Sequence, residues 1–154
     1  MRKITLLAAF AVAATAVPAA AQERTGEFRA EARGGVAWTG GNSEAFAGGA
    51  LGYDLNVDEN SFVGIEGSAD KVLVDGAHVI GSVTGRVGGR FAHDLGKIYG
   101  LGGYGWAKNF DAGFIGAGAQ YKLGSNLYGK VEYRRSLAKG PDVNFAGAGL
   151  GFAF

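Results

Sequence analysis

The sequence predicts an all-β protein, an eight-stranded antiparallel up-and-down transmembrane β-barrel, and three observations carry that expectation. Apolar residues recur with a period of two through eight segments of about ten residues, each bounded by turn residues, and no segment has a helical period. The opposite face is built from glycines and from charges of both signs. Aromatic residues of the apolar face gather near the segment ends.

The N-terminus precedes the barrel pattern. Arg2 and Lys3 form a basic start, Ile4 to Val17 an apolar run, and Pro18 with Ala19, Ala20 and Ala21 a small-residue exit before Gln22. This predicts a secretory signal peptide over residues 1–21, cleaved between Ala21 and Gln22, with the barrel domain over 22–154. A spanning helix would need about 20 apolar residues without a helix breaker, and nothing from Gln22 onward supplies them. The net charge is +1, and without Arg2 and Lys3 it is −1, with neither a basic stripe for nucleic acid nor an acidic block. Without cysteine there is no disulfide scaffold or thiolate metal site. The 29 glycines lack the period of collagen and are interrupted too often for a linker.

The elements follow in order. The first, Glu27 to Thr39, sets Phe28, Ala30, Ala32, Gly34, Val36 and Trp38 against Glu27, Arg29, Glu31 and Arg33. After Gly40-Gly41-Asn42, Ala45, Ala47, Gly49, Leu51, Tyr53 and Leu55 oppose Glu44, Gly48, Gly52 and Asp54. Beyond a turn at Asn56 to Asn60, Val63, Ile65, Gly67 and Ala69 oppose Gly64, Glu66, Ser68 and Asp70. The fourth, after Asp75-Gly76, sets Val79, Gly81, Val83, Gly85, Val87, Gly89 and Phe91 against Ser82, Thr84, Arg86 and Arg90.

His93 to Gly96 turns the chain into the fifth segment, Lys97 to Lys108. Both of its faces carry aromatics and glycines, and Tyr99, Leu101 and Ala107 are assigned to the apolar one. Asn109 to Ala112 connects to the sixth, where Ile115, Ala117, Ala119, Tyr121 and Leu123 oppose Gly116, Gly118, Gln120 and Lys122. Gly124-Ser125-Asn126 leads to the seventh, with Leu127, Gly129, Val131 and Tyr133 against Tyr128, Lys130, Glu132 and Arg134. A loop from Ser136 to Asp142 precedes the eighth, where Ala146, Ala148, Leu150, Phe152 and Phe154 oppose Gly147, Gly149, Gly151 and Ala153.

Alternation alone does not say which face is inside, and a soluble periplasmic lipocalin-like binder is the alternative. Its interior would need bulky apolar residues, whereas charges and glycines suit a narrow lumen filled by its own side chains. Arg29, Arg33, Arg86, Arg90, Lys122, Lys130 and Arg134 balance Glu27, Glu31, Glu44, Asp54, Glu66, Asp70 and Glu132, as an enclosed network requires. Phe28, Tyr53, Phe91, Tyr99, Tyr121 and Phe154 are expected at one rim, Trp38 and Tyr133 at the other, as interfacial girdles. In lipid the last strand must pair with the first to leave no edge.

FVGIEG at Phe62 to Gly67, VTGRVGGRF at Val83 to Phe91, GAGAQYKLGSNLYGKVEYRR at Gly116 to Arg135 and the terminal Phe154 resemble the small outer-membrane β-barrels of the OmpA and OmpX type, grouped with opacity-like surface proteins in a porin family. The resemblance implies residence in the cell outer membrane, with outer-membrane lipid and the barrel-assembly machinery as partners and Phe154 as part of the assembly signal. It also implies charged interior pairs at Glu66, Arg86, Glu132 and Arg134. No C-terminal peptidoglycan-binding domain follows the barrel pattern, and the outward connections are shorter than those of adhesins of this kind.

GLGGYG at Gly100 to Gly105 matches the dinucleotide pattern, but no helical period follows it. His78 and His93 have neither a serine partner nor ligand spacing, so neither enzyme nor metal site is expected, and no cofactor. Glycine-rich fibres would show repeats and Asn or Gln ladders. The expected function is a monomeric integral outer-membrane barrel with a structural or surface-interaction role. Its lumen is expected to be filled by ion pairs from Glu27, Arg29, Glu31, Arg33, Glu66, Arg86, Arg90, Lys130, Glu132 and Arg134. The alternative use of those charges is a narrow solute pore in which a pair such as Glu66 with Arg86 opens.

Overall fold

The computed structural model describes residues 26–108, 110–137 and 143–154. The expected signal peptide, its cleavage point at Ala21 and Gln22, and most of the connection expected from Ser136 to Asp142 lie outside the described residues. Eight strands follow one another: β1 (Gly26–Thr39), β2 (Asn42–Asn56), β3 (Ser61–Val72), β4 (Val79–Phe91), β5 (Gly96–Ala107), β6 (Phe110–Lys122), β7 (Leu127–Ser136) and β8 (Asn144–Ala153). Each pairs antiparallel with its sequence neighbours, and β8 pairs with β1 to close the barrel.

The register tilts the strands. From Glu27 the paired residues run through Asp54, Gly64, Arg86, Leu101, Gly116, Arg134 and Phe145 and return to β1 at Ala37, ten residues further on. An eight-stranded barrel with such a stagger encloses a space just wide enough for side chains.

One end carries Gly26, Phe154 and three four-residue turns, 57–60, 92–95 and 123–126; we call it the turn end. At the opposite, loop end, Gly40 and Gly41 (φ +54° and +97°) make the two-residue β1–β2 hairpin, the tight turn that needs left-handed residues. At the turn end the Asp58 carboxylate accepts the backbone N–H groups of Asn60 and Ser61 at 2.8 and 2.7 Å. Those bonds, Asn60's first, hold its carboxyl below the usual value. Arg90 ties this turn to β4 by donating to the carbonyls of Asp58 and Glu59, both at 2.7 Å.

Alternation sorts the side chains as a lipid-facing barrel requires. Phe28, Leu51, Ile65, Val83, Val87, Ile115, Val131, Leu150 and Phe152 are exposed outside, while Arg29, Glu31, Asp54, Glu66, Arg86 and Lys130 are buried inside. Large apolar groups outside and charges inside are the reverse of a lipocalin-like binder, which sets that alternative aside. At the turn end Phe28 packs on Tyr53 with ring centroids 4.7 Å apart, and at the loop end Trp38 lies 6.2 Å from Tyr133.

Two expectations are corrected here. Tyr99, Leu101 and Ala107 do not form the outer face of β5; Ile98, Tyr104 and Trp106 are the exposed residues, and Tyr99 and Leu101 are buried inside. Register decides it, because Lys97, Tyr99 and Leu101 stand opposite the inward-facing Arg90, Gly88 and Arg86 of β4. Tyr99 is therefore no girdle residue. Nor do 110–112 belong to a loop: β6 begins at Phe110, with Ala112 inside opposite Gly105 and Asp111 accepting a hydrogen bond from the Tyr104 hydroxyl. Asn109 lies outside the described residues.

Candidate functional site

Five contacts in the lumen share one construction, in which side chains on strands two apart meet across a glycine of the strand between them. Arg29 on β1 and Glu66 on β3 flank Gly52 of the strand between them, and Arg29 Nη1 donates to Glu66 Oε2 at 3.1 Å. Arg33 and Asp70 meet in the same way across Gly48, at 2.8 Å from Nε and 2.5 Å from Nη2. Asp54 and Arg86 meet across Gly64, where Arg86 Nε donates to Asp54 Oδ1 at 2.8 Å and Nη2 makes a second contact.

Two tyrosines follow the rule. Tyr99 donates to Glu132 across Gly118 at 3.0 Å, and Tyr128 donates to Glu31 across Gly151 at 2.9 Å. Glycine on the middle strand is what lets strands two apart touch. A Cβ at Gly52, Gly48 or Gly64 would run into Arg29, Asp70 or Asp54 respectively, and one at Gly118 would lie 2.6 Å from the Tyr99 oxygen.

That construction predicts a contrast between two glycines of β3. Gly64→Val places methyl groups against Asp54 and the Arg86 stem, and overpacking of that kind is expected to lower stability by about 1–3 kcal/mol. Gly67→Val, on the outer face with no atom within 4 Å of its added Cβ, is expected to cost nothing. Urea unfolding of both variants in detergent micelles measures the difference; equal losses would refute the crossing rule.

Glu66 is the hub. It is 2% exposed and faces Arg33 Nη1 at 3.0 Å, Arg29 Nη1 and Arg134 Nη2 at 3.1 Å each, and Lys130 Nζ at 3.4 Å. Glu31 pairs with Lys130 and with Arg33 at 3.7 Å, and Glu132 pairs with Arg134 and with Lys130 at 3.4 Å. A second cluster toward the turn end centres on Asp54, which meets Arg86, Lys97 at 2.9 Å and Arg29 at 3.3 Å. Lys97 also reaches Glu27 at 2.6 Å, and the Arg86 guanidinium lies over the Tyr99 ring at 4.6 Å.

The pairing expected between Glu66 and Arg86 is not formed. Arg86 stands level with Gly64 and reaches across it to Asp54, while Glu66 stands level with Thr84 and turns toward β1 and β7. Arg90 pairs with Asp94 of its own turn at 3.3 Å and with backbone carbonyls, outside both clusters. Lys97 and Tyr99 join the lumen contacts on the inward face of β5, opposite to the face the alternation assigns to Tyr99. Hairpin symmetry offered the missing signal, since Arg90 and Lys97 lie equally far from the turn and must share a side. His78 precedes β4 and His93 follows it, so the two lie at opposite ends of the barrel. The GLGGYG stretch is strand throughout.

Residues 6–154 match the family model described as the outer membrane protein beta-barrel domain. The chain belongs to that family. Among solved structures, this outer-membrane barrel is similar to the N-terminal β-barrel domain of Pseudomonas aeruginosa OprF, at 19% identity and a TM-score of 0.62, over 83% of this chain and 97% of that one. Ail, the attachment invasion locus protein of Yersinia pestis, is 18% identical with a TM-score of 0.61, over 84% and 97%. Neisserial surface protein A is 12% identical with a TM-score of 0.58, over 85% and 98%. No curated protein matches the chain. Membership makes this an outer-membrane protein, and the exposed apolar belt is the surface it presents to lipid.

Proposed function

We propose that this outer-membrane barrel is a closed, non-conducting structural protein of the envelope, acting as a monomer whose surface interactions are made at its loop end. The observation that carries the reading is Glu66 held by four cations in mid-lumen, with Tyr128 and Asp54 wholly buried beside it. Eight strands leave little room beyond side chains, and a network in which each charge has an opposite partner gives a passing ion no free site. Closure of β8 on β1 leaves no strand edge, so a single copy is complete in lipid. The short connections at the turn end fit the periplasmic side, which places the loop end outside the cell.

The test is a planar bilayer. Purified barrel is expected to give no unitary current steps, and Glu132→Lys, which reverses one lumen charge, is expected to stay silent as well. Regular steps from the native protein, altered by that reversal, would instead establish the narrow pore.

A further inference from the structure

The lumen changes character toward the loop end. Above the Arg33–Asp70 and Arg134–Glu132 pairs, the inward residues Phe46, Ile80, Ala112, Phe114 and Phe145, with the hydroxyl side chains of Ser82 and Ser136, surround a cavity of about 80 Å³. We propose that this loop-side half of the lumen is a binding site for a small uncharged aromatic molecule.

Size, charge and ring geometry each narrow the ligand. A water requires roughly 10–15 Å³ of such space, so the cavity accepts on the order of six heavy atoms, about one aromatic ring. Its floor offers no spare charge: Arg33 is paired with Asp70 and Glu66, Arg134 with Glu132 and Glu66, and Lys130 with Glu31. An ionic ligand would leave its own charge uncompensated in a confined space, which selects against it.

The walls favour a ring over an aliphatic chain. Phe46 and Phe145 meet edge to face at 5.8 Å and 78°, and Phe114 lies under the Arg134 guanidinium at 5.1 Å, so three aromatic rings line the cavity and a further ring can pack among them in the offset or edge-to-face geometry that aromatics prefer. Phe114 and Phe145 point inward yet keep part of their surface accessible. Wetted apolar surface is unfavourable, and a seal needing only ion pairs would have no use for it. Concave apolar space with a few polar groups at its base, in the mouth of a barrel, is what ligand sites look like.

Phenol, uncharged at pH 7, is the probe. Native barrel with ¹³C-methyl alanine in nanodiscs is expected to show a saturable shift of the Ala112 methyl, while the Ala119 methyl on the lipid face follows only the linear change caused by phenol in the bilayer. Benzoate, the same ring with a charge, is expected to leave Ala112 unmoved. Gly105→Leu fills the cavity, its Cβ having no neighbour closer than 3.6 Å, and is expected to weaken the Ala112 response at least tenfold. A linear Ala112 shift shared with Ala119, an equal response to benzoate, or a response unaltered in folded Gly105→Leu would each overturn the proposal. The native titration decides the matter even if that variant does not fold.

Discussion

Replacing Glu66 with alanine is expected to lower the unfolding free energy of the barrel by about 3–5 kcal/mol, the cost of removing one partner from a buried ion pair. Around Glu66 the cluster is balanced: Arg29, Arg33, Lys130 and Arg134 stand against Glu31, Glu66, Asp70 and Glu132. Arg33 keeps Asp70, Lys130 keeps Glu31 and Arg134 keeps Glu132, so the uncompensated charge falls on Arg29. Its remaining acids are Asp54 at 3.3 Å, already shared with Arg86 and Lys97, and Glu31 at 3.9 Å. Both the Arg29 and Glu66 side chains are almost wholly buried, so solvent gives little relief. Urea unfolding in micelles should show the midpoint falling with the slope unchanged. A loss below about 1 kcal/mol, the range of an exposed pair, would mean that water screens the lumen as it does a surface.

The same cluster separates what sequence reveals from what it conceals. Period-two alternation identified the strands, and it sorted the faces of all but β5, because the other strands set charges or glycines on one side against apolar residues on the other. β5 defeats the method physically: Tyr99 is inside because its hydroxyl reaches Glu132, and Tyr104 is outside because its hydroxyl reaches Asp111, so both faces carry an aromatic with a polar tip. Partnership inside the lumen was harder still. Arg29 and Glu66 are 37 residues apart and meet only because the stagger brings both level with Gly52. That is a property of the closed register, which no single strand carries. The expected pairing of Glu66 with Arg86 joins residues on adjacent strands, whereas Arg29 with Glu66 and Asp54 with Arg86 join strands two apart. The inward glycines are the visible trace of that rule, since Gly48, Gly52, Gly64, Gly118 and Gly151 each leave a gap on their strand for the side chains of both neighbours to cross. The apolar loop-side lumen is hidden in the sequence because its aromatics share the parity of the charged residues and read as interruptions of the polar faces. Phe46, Phe114 and Phe145 lie on those same faces, nearer the loop end.

Replacing Phe154 with aspartate is expected to reduce the amount of barrel in the outer membrane several-fold while changing the stability of assembled barrel by less than about 1 kcal/mol. The two effects separate because Phe154 contributes backbone and side chain differently. Its N–H and C=O exchange hydrogen bonds with Phe28 at 2.9 and 3.0 Å, the last rung of the seam between β8 and β1, and any residue can make them. Its side chain shares the outward parity of Phe152 at the turn end, and a charge near the membrane interface costs only about 0–1 kcal/mol there. A thermodynamic account therefore predicts a mild variant. The expected loss of yield comes from recognition, since the aromatic is proposed to be read by the barrel-assembly machinery before the seam closes. Urea unfolding of protein refolded into micelles measures the first quantity, and heat-modifiable barrel in outer-membrane fractions measures the second. Normal membrane levels would remove Phe154 from the assembly signal. A fall in membrane levels matched by a loss of several kcal/mol in micelles would make it a structural residue of the seam instead.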